Sequence, residues 1–297
     1  MHTRACHARR IGSTVMPLQA LPRTSNAYRP DPCLEALNRA NRGRLRPFVA
    51  GSAIGQPARR QPVGRACALN VGFSVGYAER TPAGERFNTA ILVQPDGAIL
   101  GRYRKVHLPG SVEPRPGTPF QQLEKRYFHY GDTGFPTFRA NPAWQSGILG
   151  MMICNDRRWP ESWRMLGLGG VELVCVGYNS AAYDPNGGTT EDAGLRTFHA
   201  KLVVQANAYM NATWAIAVAK AGDEDGSGLI GGSCIVDPNG VIVAETKTLA
   251  DEVIIADCDL EACRQGKEKM FNFAAHRRPE HYRLITETAG AIPPAAV

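Results

Sequence analysis

The first 66 residues lack lysine altogether and hold only two acidic side chains, Asp31 and Glu35, against twelve arginines. That stretch therefore carries a surplus of ten positive charges, while the remaining 231 residues carry 22 basic and 25 acidic side chains. The net charge of +7 is thus local, and a uniformly basic nucleic-acid-binding protein is excluded. The basic stretch also lacks a run of stacking aromatics, so we expect no nucleic-acid partner. No segment approaches the ~18 consecutive apolar residues of a membrane span, and no membrane partner is expected. The eight cysteines include no C-x-x-C pair, and Cys258 and Cys263 lack histidines at zinc-ligand spacing, which argues against a metal site. With no secretory signal, a disulfide framework is not expected either. Reduced thiols and a cytoplasmic location are the reading.

Residues 1–66 also carry seven prolines and show neither helical nor strand periodicity, so no packed structure is assigned to them. Nothing in them forms a clear amphipathic transit helix. Arg9-Arg10 is followed by Pro17 before an apolar signal core develops.

From residue 67 onward the pattern changes. Leu69 to Ala78 and Phe87 to Val93 read as strands, and Pro95-Asp96-Gly97 turns the chain into Ala98 to Lys105. A similar hairpin recurs at Ser233 to Val236, with a Pro238-Asn239-Gly240 turn and Val241 to Glu245. Gly147 to Cys154 and Val171 to Gly177 read as strands buried on both faces. Pro160 fits the first turn of a helix. Leu195, Phe198, Leu202, Ala206 and Tyr209 recur at spacings of three and four, which predicts a helix with that apolar face. Thr213 to Ala219 and Val253 to Ala256 read as further strands. The alternation predicts layered sheets covered by helices, an α/β or α+β sandwich.

Three residues stand out chemically. Cys154 closes a buried strand just before a turn into a helix, where backbone N–H groups favour a thiolate. Arg157 and Arg158 follow it closely: guanidinium groups beside a thiol favour its ionised form and can grip a carboxylate, or can pair internally with Asp156 or Glu161. Lys105 ends a strand on the face of Tyr103 and Ile99, and an inward-facing ammonium requires an anion. Glu124 is an acid in Gln121-Gln122-Leu123-Glu124-Lys125-Arg126-Tyr127.

These residues belong to a longer set of motifs. Gly76-Tyr77-Ala78-Glu79, Arg86-Phe87-Asn88-Thr89, Tyr103-Arg104-Lys105-Val106-His107-Leu108-Pro109-Gly110, Leu123-Glu124-Lys125-Arg126-Tyr127-Phe128, Ile153-Cys154-Asn155-Asp156-Arg157-Arg158-Trp159-Pro160-Glu161, Gly177-Tyr178-Asn179, Phe198-His199 and Phe273-Ala274-Ala275-His276-Arg277 run through the chain. On them, the sequence resembles the N-carbamoyl-D-amino-acid hydrolases of the nitrilase superfamily. The resemblance implies a four-layer α-β-β-α sandwich, catalysis by Glu, Lys and Cys without cofactor or metal, and assembly as homodimers or homotetramers. It implies Cys154 as nucleophile, Lys105 as the stabiliser of the oxyanion and Glu124 as an acid of the site. Arg157, Arg158, Asn179, His107 and His199 are implied at the substrate pocket, with hydrogen bonding around the site as likely a role for the two histidines as direct catalysis. The substrate would be an N-carbamoyl amino acid.

The departures matter as well. The family's first catalytic acid sits in an early Pro-Glu motif, and no Pro-Glu dipeptide occurs before residue 67. Glu35 follows no recognisable buried strand. Gln122 stands where the family often has histidine. The expectation is that 67–297 form the hydrolase domain, incomplete at its N-terminal edge, and that 1–66 derive from a shifted frame or mis-assigned start. Two alternatives accompany the D-carbamoylase reading: a β-ureidopropionase or related amidase, and a protein without activity that serves binding or assembly.

Overall fold

The computed structural model describes residues 10–12, 68–117, 121–142, 146–183, 193–224 and 226–295. Most of 1–66 therefore lies outside the described residues, and the expectation for that stretch with it. Its described part is β1 (Arg10–Gly12), which runs antiparallel to β13 (Asp257–Asp259).

Two sheets build the body. β2 (Phe73–Arg80), β3 (Arg86–Val93) and β4 (Ile99–Arg104) form an antiparallel sheet in chain order. The β3–β4 turn is closed where Gly97 N donates to the Gln94 carbonyl, with Gly97 at φ 83°. A residue with a Cβ is disfavoured at that angle. The second sheet has six strands, in the order β12 (Ile242–Glu245), β11 (Cys234–Val236), β8 (Trp214–Ala219), β7 (Leu173–Tyr178), β6 (Ile148–Ile153) and β5 (Thr137–Arg139). Within it β6, β7 and β8 are parallel. Parallel strands are covered on both faces, which accounts for their unbroken apolar runs.

The sheets pack face to face, β3 on β6 and β2 on β7. Between them lie Ala90, Leu92, Tyr103, Leu149 and Met151, all buried. Helices α2 (Pro160–Leu168) and α3 (Ala193–Met210) cover the other face of the six-stranded sheet. The fully buried Trp163 and Leu166 of α2 fill that layer. Gly150 of β6 faces it, because a Cβ there would press on Leu166 and Val171. This is the sandwich of paired sheets with outer helices that the resemblance implies. β9 (Ala221–Glu224) and β10 (Ser227–Ile230) form a separate hairpin. α4 (Ala262–Glu268) is anchored by Cys263 Sγ on the Glu172 carbonyl at 3.3 Å. Among the described residues no helix is long and apolar enough to cross a membrane.

Two expectations need correction. The periodic face of α3 is not its buried face: Leu195, Phe198, Leu202 and Tyr209 are exposed, and Ala200, Val204 and Ala208 pack inward instead. Small residues let the helix approach β8 and β11 closely. Val253 to Ala256 form no strand. Val253 and Ile255 project into solvent while Ile254 and Ala256 touch the core, and the strand begins only at Asp257.

Candidate active site

The site residues gather where strands end. Lys105 follows β4, Cys154 follows β6 and Asn179 follows β7. In sheets with parallel strands, ligands are taken up beyond the carboxyl ends of those strands.

Cys154 opens a short 3₁₀ turn, Cys154–Arg158, with φ at 49°. That angle costs a non-glycine residue about 1–3 kcal/mol and persists only when its surroundings fix it. Two neighbours in the turn do so. Arg157 Nη1 donates to the Cys154 carbonyl at 2.7 Å. Asp156, with no exposed surface, accepts from the Ile153 backbone N–H at 3.1 Å. Pro160 then starts α2 without an orphaned N–H.

Asp156 also ties the turn to the lysine segment. Its Oδ2 accepts from the Tyr103 hydroxyl at 2.7 Å, and its Oδ1 accepts from the His107 backbone N–H at 2.8 Å and lies 2.9 Å from His107 Nδ1. Tyr103 and His107 flank Lys105 two residues to either side. Burial, reinforced by the Asp156 carboxylate, holds the Tyr103 phenol well above its ordinary ionisation range, so it remains a donor. The His107 ring stacks on Trp159, 5.0 Å between centroids.

The Lys105 side chain is fully buried, and its Nζ sits 2.8 and 2.7 Å from the two carboxylate oxygens of Glu124. Asn88 Nδ2 donates to Glu124 Oε2 at 3.3 Å. Glu124 reaches this place at the start of α1 (Glu124–Tyr127) because Leu123 pairs with Gly110. Gly110 has φ 78°, and a Cβ there would collide with the Gln122 carbonyl. Gly131 plays a similar part: its N–H donates to the Lys105 carbonyl at 2.8 Å, and a Cβ would strike the Arg104 carbonyl.

The remaining residues named from sequence are placed as follows. Arg157 is fully buried and turned into the protein, with Nη2 donating to Ser180 Oγ at 3.0 Å and its guanidinium 3.9 Å above the Tyr178 ring. Neither Asp156 nor Glu161 pairs with it, since Asp156 is engaged by Tyr103 and His107. All of these contacts are to groups of the fold. Burial weakens its hold on the proton. Arg158 is exposed, with Nη1 donating to Asn155 Oδ1 at 3.1 Å. Asn179 is exposed beyond β7. His199 lies on the outer side of α3, its ring 5.7 Å from Phe198. Sequence reading passed over the tethering role of Asp156 and the support from Asn88 and Ser180; the one available signal was that each lies within or beside a motif already singled out.

The chain has relatives among known proteins. Residues 64–268 match the family described as carbon-nitrogen hydrolase. The N-carbamoylputrescine amidase of Arabidopsis thaliana is 31% identical over 231 residues, covering 75% of this chain and 71% of the relative. That of Solanum tuberosum is 30% identical over 249 residues, covering 81% and 76%. Among solved structures, a carbon-nitrogen hydrolase from Helicobacter pylori G27 superposes with a TM-score of 0.66 at 24% identity, covering 78% of this chain and 76% of that one.

Proposed function

The chain belongs to the carbon-nitrogen hydrolase family and is a hydrolase of carbon–nitrogen bonds; from that premise we propose that residues 67–297 act on an N-carbamoyl-D-amino acid, releasing the D-amino acid, carbon dioxide and ammonia. The observation that carries this reading is the buried Lys105–Glu124 pair, tethered through Tyr103, His107 and Asp156 to the turn that opens with Cys154. The buried Lys105 ammonium is poorly screened by water and is held in place by the Glu124 carboxylate.

The chemistry follows from the groups. The Cys154 thiolate adds to the carbamoyl carbon, and the charge that develops on oxygen is met by the Lys105 ammonium. Collapse breaks the bond from that carbon to the amino-acid nitrogen, which leaves with the proton that the Cys154 thiol gave to the Glu124 carboxylate on ionising. Water then adds to the thioester-like carbonyl, its proton passes to the carboxylate, and the thiolate leaves. The carbamate released decomposes to carbon dioxide and ammonia. Arg158 and Asn179 are the exposed groups proposed to meet the amino-acid portion, with His107 and His199 bordering it.

A second reading takes an N-carbamoyl amine. The plant relatives carry the name N-carbamoylputrescine amidase, and the inward turn of Arg157 leaves one arginine instead of two for an α-carboxylate. Assembly as a homodimer or homotetramer is proposed from the exposed apolar face of α3. A cytoplasmic location is proposed from the free thiols of Cys154, Cys175, Cys234, Cys258 and Cys263.

Ammonia release from N-carbamoyl-D-phenylalanine, its L-enantiomer, N-carbamoyl-β-alanine and N-carbamoylputrescine tests the proposal. Preferential turnover of the D-compound supports it. Preference for the β-alanine compound or the putrescine compound replaces the substrate with that one, and no turnover of any leaves the binding or assembly alternative.

A further inference from the structure

We infer that Arg157 is a positioning residue for the nucleophile, fixing the main chain of Cys154 and placing a buried positive charge opposite its thiolate, and is not a substrate ligand. This rests on the reading of Cys154 as nucleophile.

The guanidinium is fully buried. Its partners are neutral: the Cys154 carbonyl, the Ser180 hydroxyl and the face of the Tyr178 ring. Its Nε has no hydrogen-bond partner, and among the described residues no carboxylate lies within ion-pair distance of it. A buried arginine without a counter-ion is costly and calls for an anion. The ionisable neighbour that can supply one is Cys154, three residues back in the same turn. Ionisation of that thiol balances the charge of the site without adding a carboxylate. The bond to the Cys154 carbonyl also stabilises the unfavourable φ of 49° that directs the residue after β6.

Other charged and titratable groups stand in this turn or on the elements packed against it. Asp156 and Arg158 share the turn, Tyr178 lies on β7, and Arg196 on α3 donates to the Ala181 carbonyl; His107 is bonded to Asp156, and Lys105 is paired with Glu124 of α1. Asp156 is held by four hydrogen bonds, and Lys105 by Glu124. Of the cations in this set, Arg157 is the buried one bonded directly to the cysteine residue, with no acidic partner among the described residues.

The test follows alkylation of Cys154 by iodoacetamide across pH, at peptide resolution, in the full chain and in Arg157→Met and Arg157→Lys, with thermal melting as the check on folding. The expected result is a rise of about one pH unit in the Cys154 midpoint in Arg157→Met, about tenfold slower alkylation near neutrality, and recovery of the midpoint in Arg157→Lys. An unchanged Cys154 profile in a folded Arg157→Met protein overturns the inference. So does a raised KM confined to carboxylated substrates with an unaltered profile, which assigns the arginine to substrate. Arg157→Gln, which keeps a donor for the Cys154 carbonyl, is read in the same way if the Met variant does not fold. Failure of both to fold leaves Arg157 a structural role alone and overturns the inference. Alkylation needs no substrate, so absence of turnover on every carbamoyl compound would count against the proposed function and not against this.

Discussion

Lys105 Nζ lies within 2.8 Å of both carboxylate oxygens of Glu124, with the lysine side chain wholly out of solvent. An arrangement of this kind makes each partner depend on the other. Removing one leaves a buried charge unanswered, and the damage exceeds the worth of the pair itself.

Glu124→Gln and Lys105→Met are therefore both expected to lower kcat by at least ~10²-fold, with smaller effects on KM. The double variant should cost far less than the product of the two, because the residues act as a unit. Steady-state ammonia release for the three proteins checks this. Independent, multiplicative losses would show that the pair does not function together.

Asp156 is predicted to matter as a tether. Asp156→Ala strands the Tyr103 hydroxyl and the Ile153 and His107 N–H groups, at about 1–3 kcal/mol for each buried donor left unsatisfied. Chemical denaturation should report a loss in that range or larger, and turnover should fall in the fraction that remains folded. Tyr103→Phe, which removes one bond and retains the ring, should show a smaller version of both effects.

Acid sensitivity is expected at the α3–β12 contact. The hydrogen bond from Lys201, supported by Lys247, holds the Glu245 carboxyl down at about 2 against an ordinary value of 4.5. A depressed value in the folded state means that the contribution is complete above about pH 4.5 and is lost as pH falls toward about 2. Melting temperature measured through that window should drop less steeply for Glu245→Gln than for the unaltered protein. The group is near the surface, so the difference should shrink in high salt.

The exposed stripe on α3 predicts self-association. Phe198→Glu combined with Leu202→Glu should shift the protein to a smaller species in analytical ultracentrifugation without altering its far-ultraviolet spectrum. An unchanged sedimentation coefficient would place the subunit interface elsewhere or remove it.

Much of this site was legible in the sequence because each element carries its own local signal. The β6 run ending in Cys154, the Pro160 start of α2 and the two Pro- or Gly-bearing hairpins all appear where their residues place them. Lys105 was legible as inward-facing from strand alternation alone. The orientation of α3 was not, since apolar spacing reveals that a face exists but not whether a sheet or another surface meets it. The same holds for Arg157. Two adjacent arginines look equivalent in sequence, and only the 3₁₀ turn sends Arg157 beneath Cys154 and Arg158 outward. The tether through Asp156 spans about fifty residues of chain and joins two segments with no pattern in common.

In the proposed chemistry Cys154 carries the covalent intermediate. Acid quenching of the enzyme during turnover of an N-carbamoyl substrate, followed by peptide mass mapping, tests it most directly. Burial pushes Cys175, Cys258 and Cys263 up to about 12 and Cys234 to about 11, so these thiols should stay unmodified at neutral pH. A carbamoyl adduct is expected on the Cys154 peptide, with no adduct and no ammonia release in Cys154→Ala. Turnover that persists in Cys154→Ala, or an adduct on another cysteine, would contradict it.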